Sequence, residues 1–541
     1  MRNRLRRLTR EPWRTRYLML LVGALPVLAF PAPNWSWLAW FGLVPGLLLI
    51  VRSDTVRESG VRAWWLGAGY IMFGLYWLAP EIGPGLLGVG AVFGALCVPF
   101  GVSARLLLRP PLTFPRAAAA LVVVPCAWVL TDWLRSWQAL GGPWDVYGAS
   151  QWQHPAILGL AAVGGVWLVS FALVMCNVGI VLVIESGRSW LAAAGAAMAA
   201  AGIFAGPIAF ALTPPAPVAR QATIAMVQPG IVSNADLQTH ASQALTGELS
   251  RGGMLAGVRP DLIVWGESSI AYDITLPAYR GLLGQIEALA AKDGADILVS
   301  QDATPPGKGH EKWSVLVSPA GVRGTYIKTR LVPFGEYIPF RQQLGWLTKI
   351  SKASPSNMIP GSGAHLLHAT DRSGRALPIG VLVCFESAFP DMSRVDSDLG
   401  AQLIVYQSST PTFQGTWGPD QHASLGALRA AETGRPVVQA ALTGVTVAFD
   451  ARGRLLGWMG QSQHGVLTAR LGLPAASYRT IYDRYGDYVP WAATAVVVLA
   501  ALVMFVRFLA RNTGESGGRG AQYEAGAGQP ETRAQGKANL V

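Results

Sequence analysis

Apolar runs close to the length of a bilayer crossing fill the first 212 residues and return once near the end, and nothing else in the chain restricts its fold as strongly. A helix needs about 20 consecutive apolar residues to cross a hydrocarbon core, and runs of that order lie near 17–30, 35–51, 63–80, 85–107, 116–134, 156–184, 190–212 and 489–510. The first two are short or interrupted by Pro. Hydrophobic residues make up 51% of the chain and charged residues only 14%, a balance far from that of soluble domains. Most of the twenty Trp fall in the first half, often beside these runs, where indole rings anchor at the headgroup level.

Basic residues sort the connections into two sides. The first 16 residues carry seven Arg, the loop after the second run holds Arg52, Arg57 and Arg62, and the loop after the fourth holds Arg105, Arg109 and Arg116. With eight runs read as eight spans, all three groups fall on one side, whereas the 132–155 connection has Arg135 alone. The positive-inside rule then places both termini in the cytoplasm and residues 213–488 outside it. The same distribution accounts for the formal net charge of +12 without nucleic acid, because the Arg residues are not gathered on one polar domain. A cleaved signal peptide also begins basic and then apolar, but here no clear small-residue cleavage site leads into a soluble domain. The expected organisation is a basic cytoplasmic N-terminus (1–16), a seven-span bundle (17–212), an extracytoplasmic domain (213–488), a last span (489–510) and a disordered cytoplasmic tail (511–541) with too few large apolar residues to bury a core.

Between Pro214 and about Tyr485 the texture changes to short β-rich runs alternating with helical ones, an α/β pattern. Candidate strands are 223–228, 261–266, 296–301, 313–318, 378–384, 402–406, 436–442 and 445–450, several of them nearly all apolar, as strands covered on both faces are. Residues 235–254, 277–292 and 420–433 read as helices. In the second, Leu282, Leu283, Ile286 and Leu289 share a face suited to burial against a sheet.

Three polar residues stand at the ends of such elements. Glu267 ends Leu-Ile-Val-Trp-Gly-Glu, Lys328 shortly precedes Leu-Val-Pro-Phe-Gly-Glu, and Cys384 lies in Ile-Gly-Val-Leu-Val-Cys-Phe-Glu. A reactive group at a strand terminus is held by a rigid sheet and still reaches a cleft. Each alone also reads as an acidic turn residue, a solvated lysine or a buried thiol. Cys97, Cys126 and Cys176 lie in apolar runs, where a cysteine behaves as a small hydrophobe, so Cys384 has no partner for a disulfide within its domain. His365 and His368 have the spacing of ligands on one helical face, but no third ligand stands nearby and no metal is expected.

Taken together and in this order, the three segments resemble the nitrilase (carbon–nitrogen hydrolase) superfamily, whose Glu–Lys–Cys triad sits in an α-β-β-α sandwich. Seven spans, such a domain and one last span are similar to the apolipoprotein N-acyltransferase family of the bacterial cytoplasmic membrane. Gly142-Pro143-Trp144, Gly148-Ala149-Ser150-Gln151 and Gly434-Arg435-Pro436 add to the likeness. The fold this implies is an α-helical membrane bundle of eight spans carrying an extracytoplasmic α/β nitrilase-like sandwich.

The resemblance implies Cys384 as nucleophile, Glu267 as general base and Lys328 as the group that steadies the oxyanion, with Glu336 and Glu386 supporting the site. Phe385 stands where the family commonly has Tyr. Two loops also depart from the family pattern. Ser408-Ser409-Thr410-Pro411-Thr412-Phe413-Gln414-Gly415 replaces an Asn-Asp-Ala-Trp-Phe-Gly-type stretch, and Gln228-Pro229-Gly230 has no nearby Trp. The implied reaction takes an acyl group from membrane phospholipid onto Cys384 and passes it to the α-amine of a diacylated apolipoprotein, with no cofactor. An apolar arm from Tyr337 and Phe340 through Leu344, Trp346, Leu347 and Ile350 is expected to dip into the outer leaflet, with Phe413 and Trp417 as a second lip. Two other readings are a membrane-tethered amidase and a non-catalytic anchor for a polyprenyl-phosphate mannosyltransferase, to which some relatives are fused.

Overall fold

The computed structural model describes residues 12–187, 189–230, 245–251, 255, 257–305, 309–349 and 356–524. Among the described residues, five helical stretches are long and apolar enough to cross a membrane: Gly85–Leu108, Phe114–Arg135, Pro155–Ser186, Trp190–Leu212 and Tyr488–Arg507. The three earliest apolar runs form lesser pieces. Helix Pro12–Ala24 gives way to a 3-10 turn with Pro26 in its first positions, and Ser36–Val51 is a shorter apolar pair. Val56–Gly74 begins on Arg57, Glu58 and Arg62, which lowers its hydropathy. Helix Tyr488–Glu524 continues into the stretch expected to lack structure, and residues 525–541 lie outside the described residues.

Helix Pro155–Ser186 is broken at Gly164 and Gly165, the latter at φ +69°. A Cβ at Gly165 would lie 2.6 Å from the Tyr482 ring, so the break lets the sandwich approach the bundle. It also frees the amide of Val166, which donates to Glu432 at 2.8 Å. A helix start is electropositive, and a carboxylate caps it well.

The described residues of the 213–488 region form twelve strands, β1 Val218–Gln228, β2 Leu262–Val264, β3 Asp296–Ala303, β4 Glu311–Ser318, β5 Gly321–Ile327, β6 Leu367–Thr370, β7 Ala376–Val383, β8 Leu403–Ser408, β9 Val437–Ala441, β10 Thr446–Phe449, β11 Leu455–Met459 and β12 Gly465–Pro474. They form two six-stranded sheets, ordered β12-β1-β2-β3-β4-β5 and β11-β10-β9-β8-β7-β6. The period of two divides each strand between two cores. In β2 and β3, Leu262, Val264 and Leu298 face the second sheet, where they meet Ile379, Val381 and Val405. Ile263, Ile297 and Val299 face outward onto Leu283, Ile286 and Leu289 of helix Arg280–Asp293. The outer face of the second sheet packs on helix Gly418–Thr433, and that helix shares one continuous core with the membrane-type helices. The layers are therefore helix, sheet, sheet, helix, with the last helix wedged between sandwich and bundle.

All eight expected strands form. β5, β6, β11 and β12 were not among them, and each is a sheet edge with exposed positions in its pattern. Of the helix expected at 235–254, residues 245–251 are helical and most of the remainder lies outside the described residues.

Candidate active site

Glu267 follows β2, Lys328 follows β5 and Cys384 follows β7, so all three sit at strand ends on one rim of the sandwich. The backbone brings the two sheets unusually close there. A Cβ at Gly266 would lie 2.0 Å from Leu442 N, and Glu267 N donates to Ser408 O across the gap at 3.2 Å. Lys328 inherits its direction from Tyr326, two residues earlier and buried between the sheets. Its Nζ lies 3.3 Å from Glu267 Oε1 and 2.7 Å from Glu336 Oε1. Glu336 Oε2 accepts from Val332 N at 2.8 Å, which fixes the second carboxylate by its own loop. Burial works against the Lys328 charge, but Glu267 and Glu336 more than offset it, and the lysine is held well above its ordinary value.

Cys384 opens the 3-10 turn Cys384–Ala388 and takes φ +49°. A non-glycine residue in the left-handed region costs about 1–2 kcal/mol, and such strain recurs where a nucleophile is presented on a sharp strand-to-helix turn. Ser268 at φ +56° repeats it beside Glu267, and Phe334 at φ +65° in the loop that carries Glu336. Burial pushes the Cys384 thiol up to about 12, Glu267 adds to this, Lys328 opposes it, and Glu336 adds further. The sulfur is thus a thiol at neutral pH, and a thiolate forms there only if a base takes its proton.

Glu386 acts through the backbone. It is fully buried, and its Oε1 accepts from Tyr326 Oη (2.9 Å), Thr329 N (2.6 Å), Thr329 Oγ1 (2.8 Å) and Arg330 N (2.9 Å), while Oε2 accepts from Val383 N (2.8 Å). One side chain thereby locks the Lys328 loop to the cysteine turn. Glu386→Ala strands five donors, and with about 1–3 kcal/mol for each buried unsatisfied group the variant is expected to lose several kcal/mol in denaturant melts and nearly all its activity. A stability equal to the parent's would show the lock to be dispensable.

A buried imidazole supports the turn from below. His422, on helix Gly418–Thr433, lies 3.1 Å from Cys384 O and 2.8 Å from Ser387 Oγ. Burial pushes it down to about 4, against the pull of the Cys384 carbonyl and aided by the Lys328 charge, so it stays neutral. Phe385 is buried edge-on to Phe389 at 4.9 Å, over Gly142 of the 141–151 loop, where a Cβ would come within 3.0 Å of its ring.

The expected entrance residues divide. Phe340 and Trp346 are 77% and 54% exposed on the arm that begins at the half-buried Tyr337, and nothing is described of the Leu347 side chain or of Ile350. Phe413 and Trp417 are instead seated on bundle aromatics, 4.8 Å from Trp77 and 5.2 Å from Tyr76. His365 and His368 do not share a helical face, because His368 lies in β6 and His365 just before it, with Nε2 2.7 Å from Thr325 O.

Sequence reasoning passed over Lys312, Ser268, Asp302 and His422. In the fold Lys312 alternates with Ser314 and Leu316 on the face of β4 turned toward the second sheet.

Two sheets, flanking helices and a buried Glu–Lys pair beside a strained cysteine define a carbon–nitrogen hydrolase domain, and the carbon-nitrogen hydrolase family matches residues 224–477. The apolipoprotein N-acyltransferase N-terminal domain family matches residues 22–179. The apolipoprotein N-acyltransferase of Allorhizobium ampelinum is 30% identical over 92% of this chain and 97% of its own. That of Geobacter metallireducens is 30% identical over 91% and 95%, and that of Chlorobaculum tepidum 28% over 94% and 99%. The chain belongs to the apolipoprotein N-acyltransferase family.

Proposed function

We propose that the chain transfers a fatty acyl group from phospholipid to the α-amine of a diacylglyceryl-cysteine at the N-terminus of an apolipoprotein, through a thioester on Cys384. The carrying observation is the rim on which Cys384, Glu267 and Lys328 meet, with Lys328 bound to both Glu267 and Glu336. Glu267 takes the thiol proton as Sγ attacks the sn-1 ester carbonyl. The oxyanion is held by Lys328 and the Phe385 N–H, and a single such donor typically carries about 10²–10³ in rate. Collapse expels the lysophospholipid alkoxide, which receives the proton from Glu267 and leaves the acyl group on sulfur. The acceptor amine then attacks, its proton passes to Glu267, and the departing sulfur recovers it. This is a ping-pong sequence with an acyl-enzyme intermediate, and it needs no metal or organic cofactor.

The same proposal covers the chain's placement. Eight spans in the bacterial cytoplasmic membrane leave both termini in the cytoplasm, the 213–488 domain outside and residues 511–541 as a cytoplasmic tail, as the Arg distribution requires. The exposed Phe340 and Trp346 suit an arm reaching into the outer leaflet, where lipid is admitted and water kept from the thioester, and Phe413 and Trp417 close the side facing the bundle. The names of the relatives favour this transferase over an amidase or a passive anchor.

Intact-mass measurement after incubation with a defined phospholipid tests the reading. A single acyl adduct is expected on Cys384, discharged by a diacylated lipopeptide and only slowly by water. Amide hydrolysis without any adduct from phospholipid would replace the proposal with the amidase.

A further inference from the structure

The Lys328–Glu267 pair is part of a longer row of charges. Lys312, on β4, is the residue paired across the ladder with Asp302 of β3, and opposite charges at such positions attract. Its Nζ lies 2.7 Å from Asp302 Oδ1, 2.6 Å from Ser268 Oγ and 3.8 Å from Glu267 Oε1. Both lysines are buried. The row therefore runs Asp302, Lys312, Glu267, Lys328, Glu336, alternating in sign, with the base carboxylate at its centre. Both ammonium groups approach Oε1 of Glu267, and among the described residues no hydrogen bond reaches Oε2. Lys328 N also donates to Lys312 O at 2.9 Å, so the two lysines are in register.

We infer that Lys312 is a positioning residue for acyl transfer, a second ammonium that, with Lys328, holds Glu267 by Oε1 as an anion and leaves Oε2 to exchange the proton. The inference rests on the acyl-transfer reading and deepens it. Burial works against the Lys312 charge, but Asp302 and Glu267 outweigh it and keep the group protonated, Lys328 opposes them and Glu336 assists. The charged and titratable groups facing Glu267 are then Lys312, Lys328 and Cys384, with Asp302 and Glu336 behind the two lysines. A cation beside a carboxylate favours its charged form. Without Lys312 the carboxylate binds its proton more readily, so the base form is lost at a higher pH. The acidic limb of the rate profile moves upward.

The test uses the full chain in detergent micelles with dipalmitoyl phosphatidylethanolamine, reading single-turnover acylation of Cys384 by mass from acid to neutral pH. Lys312→Met is expected to slow acylation about 10²-fold near neutrality and to raise the acidic limb by about one pH unit, on the scale of general-base effects. Lys312→Arg keeps the charge and is expected to restore the limb. A Lys312→Met enzyme with the parent's limb, or a folded Lys312→Arg enzyme as displaced as the Met variant, overturns the inference. If Lys312→Met does not fold, the Lys312→Met/Asp302→Asn double variant removes the stranded Asp302 charge with it. A raised limb there supports the role and an unmoved limb overturns it. Alkylation of Cys384 by iodoacetamide gives the same profile without lipid. A parent enzyme that is never acylated would therefore defeat the acyl-transfer reading, and alkylation rates equal in parent and Met variant would defeat the role of Lys312.

Discussion

Cys384→Ala is expected to abolish acyl transfer, by about 10⁶-fold if the sulfur behaves as nucleophiles of other covalent catalysts do. Both halves of the proposed sequence pass through the thioester on Sγ, and the three other cysteines are buried among the helices, out of reach of the Glu267–Lys328 pair. The alanine costs little structurally, because Glu386 and His422 hold the turn through backbone atoms at 383 and 384. Unchanged melting together with no adduct and no triacylated product is the predicted result. Product formed by a folded alanine variant would remove the thioester from the mechanism.

Glu267→Gln separates acidity from catalysis. The Glu267 carboxylate helps push the thiol up, so a neutral amide in its place makes the sulfur more acidic and raises the thiolate fraction at any pH below the transition. Turnover is nevertheless expected to fall about 10³–10⁴-fold, because neither the leaving alkoxide nor the incoming amine has a partner for its proton. Iodoacetamide labelling of Cys384, which draws on the same base, should slow despite the more acidic sulfur, and transfer of palmitate from phospholipid to a diacylated lipopeptide should nearly stop. Labelling as fast as the parent's, or a transfer rate within tenfold of it, would contradict the base role.

The chain advertises its interior elements and conceals its margins. The candidate strands near 262, 297, 380, 404 and 438 announce themselves as solid apolar runs because they lie inside the sheets with both faces covered. β5, β6, β11 and β12 are edges, where solvent permits Arg323, His368 or Arg470 on one side, and such mixed patterns resemble loops. Glu267, Lys328 and Cys384, the proposed triad, stood out as short blocks at strand ends, and the fold brings those ends onto one rim. Glu386 was legible as a position, but its work was not, since it depends on four donors from 326–330 that only the fold delivers. Lys312 was missed because a lone lysine between Glu311 and Trp313 reads as solvated until Asp302 and Ser268 are seen against it.

Helix Gly418–Thr433 has a bearing on how this enzyme can be handled. Nearly every residue along it is buried, with sheet on one flank and, on the other, contacts such as Trp77 Nε1 to Gln421 Oε1 at 2.8 Å. An excised 213–488 fragment would leave that second flank bare, and a bare apolar flank of this kind favours aggregation. The sandwich is consequently no portable cartridge: its hydrophobic wall is on loan from the neighbouring helices, and a reactivity measured on the severed piece would describe a different object.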